Sequence, residues 1–211
     1  MDKKYNTEGI AVLGTIEAVR KRPEMFIGSV LSGGFYNMIL EIAENSVNEA
    51  LDGYCDTVKV KMFEDNVIEV ADNGRGLPVE FYKKAGKSKL EVILTGNYIR
   101  GELTDGIYKL SRKKYKGGLA SVNGLSDIME ITVIKEGKIW YQKYHRGIAA
   151  EDIKQTGEAP EDVHGTTIRF RPDAEIFGKQ KYDYEILFEK LNEIKGIKIN
   201  LYDKRDTSVL T

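Results

Sequence analysis

Thr57–Met62 alternates polar and apolar side chains, the two-residue period of a strand with one wet face. Asp65–Asn66 supplies turn residues, and Val67–Ala71 returns as a second strand. Met129–Lys135 and Lys138–Tyr144 flank Glu136–Gly137 as a β-hairpin would, and Thr166–Phe170 and Ile197–Tyr202 read as further strands. Helical spacing is clearest over 35–52, where Phe35, Ile39, Ile42 and the small Ser46 recur with Met38 and Val47 alongside, until Gly53 stops the run. Shorter helices are expected at Gly14–Arg22, ended by Pro23, at Lys89–Leu94, and around Tyr184, Leu187, Phe188 and Leu191. Residues 95–118 carry little periodicity and read as a long loop, the kind that serves as a lid or stays unstructured.

Helices come first, strands are mostly hairpin-linked, and no βαβ rhythm recurs. The expected fold is therefore α+β: a two-layer sandwich in which one mixed, mostly antiparallel sheet is covered by helices. The chain's 211 residues suffice for one domain, and no internal repeat or boundary divides it. A net charge of −1 gives no reason to expect a nucleic-acid surface on this chain, so any DNA contact would be made elsewhere. The one cysteine, Cys55, cannot form an internal disulfide, and no apolar run is long enough for a membrane span; a cytoplasmic location is expected.

Two segments carry candidate chemistry. On the 35–52 helix, Glu41, Asn45 and Asn48/Glu49 fall at i, i+4 and i+7/i+8, along one stripe. A carboxylate one turn from a carboxamide can hold a water between them and leave an oxygen for a metal ion, although a solvated surface stripe fits the same pattern. The second segment is Asp72–Asn73–Gly74–Arg75–Gly76–Leu77–Pro78. Its glycines let backbone pass close to a flat ligand, and its aspartate can accept a hydrogen bond from an exocyclic amine such as adenine N6; a plain tight turn uses the same residues. His145 and His164 have no partners at metal-ligand spacing and read as structural or surface residues, while Trp140, Tyr141 and Tyr144 read as packing on or beside the sheet.

Taken in order, Arg20–Lys21–Arg22–Pro23–Glu24–Met25–Phe26–Ile27–Gly28, Glu41–Leu51 and Asp72–Pro78 closely resemble the ATPase domain of gyrase B and topoisomerase IV B subunits, within the GHKL superfamily. Tyr108–Ser111, Val122–Ser126, Gly165–Thr166 and Asp203–Asp206 extend the resemblance over nearly the whole chain. It implies ATP and Mg²⁺ as cofactors. Glu41 would be the general base on the attacking water, Asn45 a Mg²⁺ ligand, and Asp72 the adenine contact, supported by Thr166 through a water. Gly76 would line the base pocket, Arg75 and Pro78 would wall its mouth with Arg75 paired to Glu49, and Gly117 and Gly118 would lie at the phosphates.

The resemblance further implies an A-type partner subunit, DNA bound through other domains, ATP-dependent self-dimerisation with an N-terminal arm that includes Tyr5, and a downstream transducer domain absent from this chain. Without that domain the chain should bind ATP but hydrolyse it slowly. Departures from the family pattern are Glu44 and Asn48, where Asp is usual, and the loop. There, Arg112–Lys113–Lys114–Tyr115–Lys116–Gly117–Gly118 stands in place of a glycine run that would turn backbone N–H groups toward phosphates. A nucleotide-binding regulatory module with little turnover is the alternative reading.

Overall fold

A computed structural model describes residues 14–31, 33–96 and 118–205. Seven α-helices are formed among them: α1 (Thr15–Lys21), α2 (Glu24–Ile27), α3 (Gly34–Leu51), α4 (Lys89–Thr95), α5 (Gly118–Leu125), α6 (Ala174–Phe177) and α7 (Tyr184–Asn192). The strands are β1 (Val58–Met62), β2 (Ile68–Asp72), β3 (Phe81–Tyr82), β4 (Lys87–Ser88), β5 (Ser126–Lys135), β6 (Lys138–His145), β7 (Ile148–Ala149), β8 (Lys154–Glu158), β9 (Gly165–Pro172) and β10 (Ile199–Asp203).

The main sheet has eight strands, ordered β10-β1-β2-β9-β5-β6-β7 with β8 also paired to β6. Only β1 and β10 run parallel; the remaining pairs are antiparallel. This is the expected α+β arrangement of one mostly antiparallel sheet with helices.

Register explains where the core lies. Because side chains alternate across a strand, partners in register form rows on one face. One row is Met62–Ile68–Phe170–Met129–Tyr144, and the next is Val60–Val70–Ile168–Ile131–Gln142. All ten side chains are buried, and the apolar ones join the core with Phe35, Met38, Ile39 and Ile42 of α3. Burying Val, Leu, Ile, Phe or Met side chains contributes about 1.5–3 kcal/mol each before conformational entropy is subtracted, so these rows and the α3 face hold the two layers together.

The third row is Val58–Asp72–Thr166–Val133–Trp140. Here the apolar pattern gives way to two polar residues on the covered face, directly opposite each other.

Helix α1 is fastened at the far end of the sheet. Arg20 donates through Nη1 to the Gly124 carbonyl at 2.8 Å and through Nη2 to the buried Asp173 carboxylate at 2.8 Å. Asp173 also caps α6 by accepting from Glu175 N–H. Close helix contact explains Gly124, since a Cβ there would lie 3.1 Å from Val19 Cγ1 of α1.

Two boundaries differ from the expectation for 95–118. Thr95 closes α4, its hydroxyl donating to the Glu91 carbonyl, and Gly118 opens α5. Gly117, Tyr5 and the basic run at 112–116 lie outside the described residues.

Candidate functional site

Asp72 ends β2 on the face covered by α3. From α3, the buried Ser46 hydroxyl donates to Asp72 Oδ2 at 2.7 Å. Asp72 Oδ1 accepts from Gly74 N–H at 3.0 Å and from Thr166 N–H at 3.2 Å. Three neutral donors thus hold a carboxylate that has roughly four lone-pair positions, leaving one for a further donor. Asp72 is half-buried and so keeps some exposure for that further donor. Desolvation raises its carboxyl above the ordinary Asp range despite these donors, and the Glu49 charge pushes the same way.

The loop after Asp72 is shaped by close approach. Gly76 has φ +79°, and a Cβ there would sit 2.9 Å from the Ile134 carbonyl oxygen. Gly165 is tighter: at φ +146° its Cβ would fall 2.1 Å from the Asp72 carbonyl oxygen. Leu77 N–H donates to Thr166 Oγ1 at 3.1 Å, so Thr166 supports Asp72 through its own N–H and fixes the loop through its hydroxyl. Pro78 follows, buried. His164, which the sequence marks only as a structural or surface histidine, sets its Nδ1 2.6 Å from the Gly74 carbonyl oxygen and pins the same loop. The signal for it was its place just before Gly165–Thr166, with no spacing motif behind it.

Arg75 meets Glu49 of α3 three times. Its backbone N–H and Nε donate to Oε2, each at 3.0 Å, and Nη2 donates to Oε1 at 2.8 Å. Desolvation would raise the Glu49 carboxyl, but the Arg75 hydrogen bonds and charge, together with the Lys135 charge, hold it below the usual carboxylate range. The pair is fork-shaped and also fixes backbone, although the Arg75 side chain stays half-exposed.

The α3 stripe is not a solvated one. Glu41 is buried, whereas Asn45 one turn on is half-buried. Among the described residues no group of three His, Cys, Asp or Glu side chains is placed to hold a metal ion. One carboxamide and one carboxylate oxygen on a helix face are hard donors of the kind that hold Mg²⁺ jointly with phosphates, so the residues present fit that ion. Gly118, at φ +53°, begins α5.

A separate cavity of about 400 Å³ opens beyond Pro78, between β3–β4 and β6, lined by Val79, Phe81, Lys87, Glu91, Lys135 and Trp140 among others. None of Glu41, Asn45, Asp72 or Thr166 lines it.

Such a sheet, with a helix carrying Glu41, Asn45 and Glu49 over an aspartate–glycine loop, defines a nucleotide-hydrolase fold: the chain belongs to the histidine kinase-, DNA gyrase B- and HSP90-like ATPase family, whose model matches residues 32–176. Within that family its likeness is to gyrase B. It is 42% identical over 211 aligned residues to the DNA gyrase B protein of Archaeoglobus fulgidus, covering 96% of this chain and 33% of the relative. To the DNA gyrase B protein of Clostridium acetobutylicum it is 43% identical, covering 95% of this chain and 32% of the relative. The crystal structure of the 43K ATPase domain of Thermus thermophilus gyrase B, in complex with an aminocoumarin, superposes with a TM-score of 0.78 at 35% identity. That match covers 92% of this chain and 50% of that one. The chain thus spans about a third of the length of the curated relatives it matches.

Proposed function

We propose that this chain is the ATP-binding domain of a type IIA DNA topoisomerase B subunit, of gyrase or topoisomerase IV type, which couples ATP hydrolysis to DNA strand passage in the cytoplasm. The observation that carries this reading is Asp72, half-buried and held by Ser46, Gly74 and Thr166 with one acceptor position left. An exocyclic amine fills that position, and Gly76, without a side chain, lets the loop backbone that follows Asp72 pack tightly against Ile134 and Gly165 behind it.

Each residue then has a part. Asp72 accepts from the adenine amine, and Thr166 holds Asp72 and Leu77 in place. Arg75, braced by Glu49, and Pro78 wall the mouth of the pocket. Glu41 orients the attacking water and takes its proton, a role a carboxylate can fill when the water is within hydrogen-bond reach. Asn45 would hold Mg²⁺ through its carboxamide oxygen, and the ion would supply charge neutralisation at the phosphates. Gly118, which opens α5, would lie at the phosphates. DNA, an A-type subunit and ATP-dependent self-dimerisation belong to the whole enzyme.

A second reading, a regulatory nucleotide-binding module, is favoured by the Arg112–Lys116 run standing where a phosphate-cradling glycine run would be. Mg²⁺-dependent ATP turnover by wild type and Glu41→Gln separates the two. The ATPase reading expects slow turnover that falls about a hundredfold or more in Glu41→Gln while ADP binding persists. Binding without turnover in the wild type would favour the regulatory module.

A further inference from the structure

Gly53 ends α3 in the left-handed region at φ +83°, and the chain doubles back so that Tyr54 N–H donates to the Glu49 carbonyl at 2.8 Å. This places the Tyr54 ring under the Arg75 guanidinium, whose central carbon lies 3.8 Å from the ring centroid. Glu49 therefore anchors both partners, Tyr54 through its backbone and Arg75 through its carboxylate. Core packing does not account for Tyr54, which is 50% exposed. The edge of the guanidinium is taken by Glu49, with Asp52 at 3.7 Å, and one face is taken by Tyr54. A planar cation has two faces, and the Arg75 side chain remains 47% exposed.

We infer that Tyr54 is a positioning residue for the nucleotide pocket, acting through Arg75: it fixes the guanidinium plane so that the second face forms a wall against the purine. This rests on the nucleotide-binding reading above. The ring's contribution is its negative π face, which attracts the cation. Phenylalanine and tryptophan share that property, whereas leucine has similar bulk without it. A cation–π contact at an exposed site corresponds to about a two- to fivefold change in affinity.

The test is calorimetric titration of the chain with ADP in Tyr54→Leu, Tyr54→Phe and Tyr54→Trp, and of Tyr54→Leu in an Arg75→Gln background. The inference expects Tyr54→Leu to weaken ADP binding by about two- to fivefold. Tyr54→Phe and Tyr54→Trp should retain wild-type affinity, and Tyr54→Leu should add no loss once Arg75 is gone. Unchanged affinity in Tyr54→Leu would overturn it, as would an equal loss in both backgrounds, which would mark a general packing role. Absence of ADP binding by the wild type would instead overturn the nucleotide reading on which it stands.

Discussion

Ser46 and Asp72 meet across the two layers: the hydroxyl of the helix donates to the carboxylate at the strand end at 2.7 Å. A helix that otherwise turns Phe35, Ile39 and Ile42 to the sheet thus offers a single small donor where the third row of the sheet becomes polar. Removing it in Ser46→Ala leaves an acceptor of Asp72 without its partner. We expect a loss of about 1–2 kcal/mol in unfolding free energy, read by denaturant titration, together with weaker ADP binding. Wild-type values for both would show that the bond carries no weight.

Acidity at Asp72 gives a second expectation. Its folded-state pKa is raised, chiefly by desolvation, so ionising it opposes folding. The penalty is absent below the unfolded-state pKa, grows as pH rises through the window between the unfolded and folded values, and is complete above the folded value. Adenine requires the ionised form as acceptor. ADP binding at a pH within that window should therefore release protons, measurable by calorimetry in buffers of different ionisation enthalpy. Asp72→Asn should abolish that release.

The clamp between Arg20 and Asp173 sets a third. Burial would raise the Asp173 carboxyl, but hydrogen bonds from Arg20 and Glu175 N–H and the charges of Arg146 and Arg20 bring it below the usual range. Its stabilising effect is present above the unfolded-state pKa and is lost as pH falls through the depressed folded value. Arg20→Ala leaves a buried carboxylate with weaker compensation and frees the Gly124 carbonyl. A destabilisation of about 2–3 kcal/mol is expected, and Arg20→Lys should restore only part of it because an ammonium lacks the fork. Thermal unfolding of the two variants checks both statements.

Gly165 sets a fourth. At φ +146° with the Asp72 carbonyl oxygen 2.1 Å from a built Cβ, Gly165→Ala forces β9 away from β2 at the row that holds Asp72 and Thr166. Destabilisation of at least about 3 kcal/mol is expected. A soluble variant of wild-type stability would show that the strands can separate there without cost.

Much of this molecule is legible in its sequence because alternation and helical spacing report the buried face directly. β1, β2, β6, β9 and α3 fall within a few residues of where their patterns put them. α5 is different: Leu119 to Leu125 are buried on every side, so the segment has no polar face to give a period, and two glycines argue against a helix. β8 is missed for the opposite reason, since Lys154–Glu158 is almost wholly polar and exposed along the edge of β6. The Asp72–Pro78 loop stands out by composition, but its partner Thr166 is 94 residues away and only the β2–β9 register sets the two opposite each other. The burial of Glu41 and the bond from His164 to Gly74 likewise depend on neighbours that no local pattern names.

The central claim is that Asp72 is the adenine contact, and Asp72→Asn tests it with little disturbance to the fold. The amide can keep all three bonds, with its oxygen accepting from Gly74 and Thr166 and its nitrogen donating to Ser46, but it no longer offers the remaining acceptor. Calorimetric titration with ADP should give clear binding by the wild type and at least about a tenfold weaker affinity for Asp72→Asn, at nearly unchanged unfolding temperature. Equal affinities in the two proteins, or no binding by the wild type, would contradict the account.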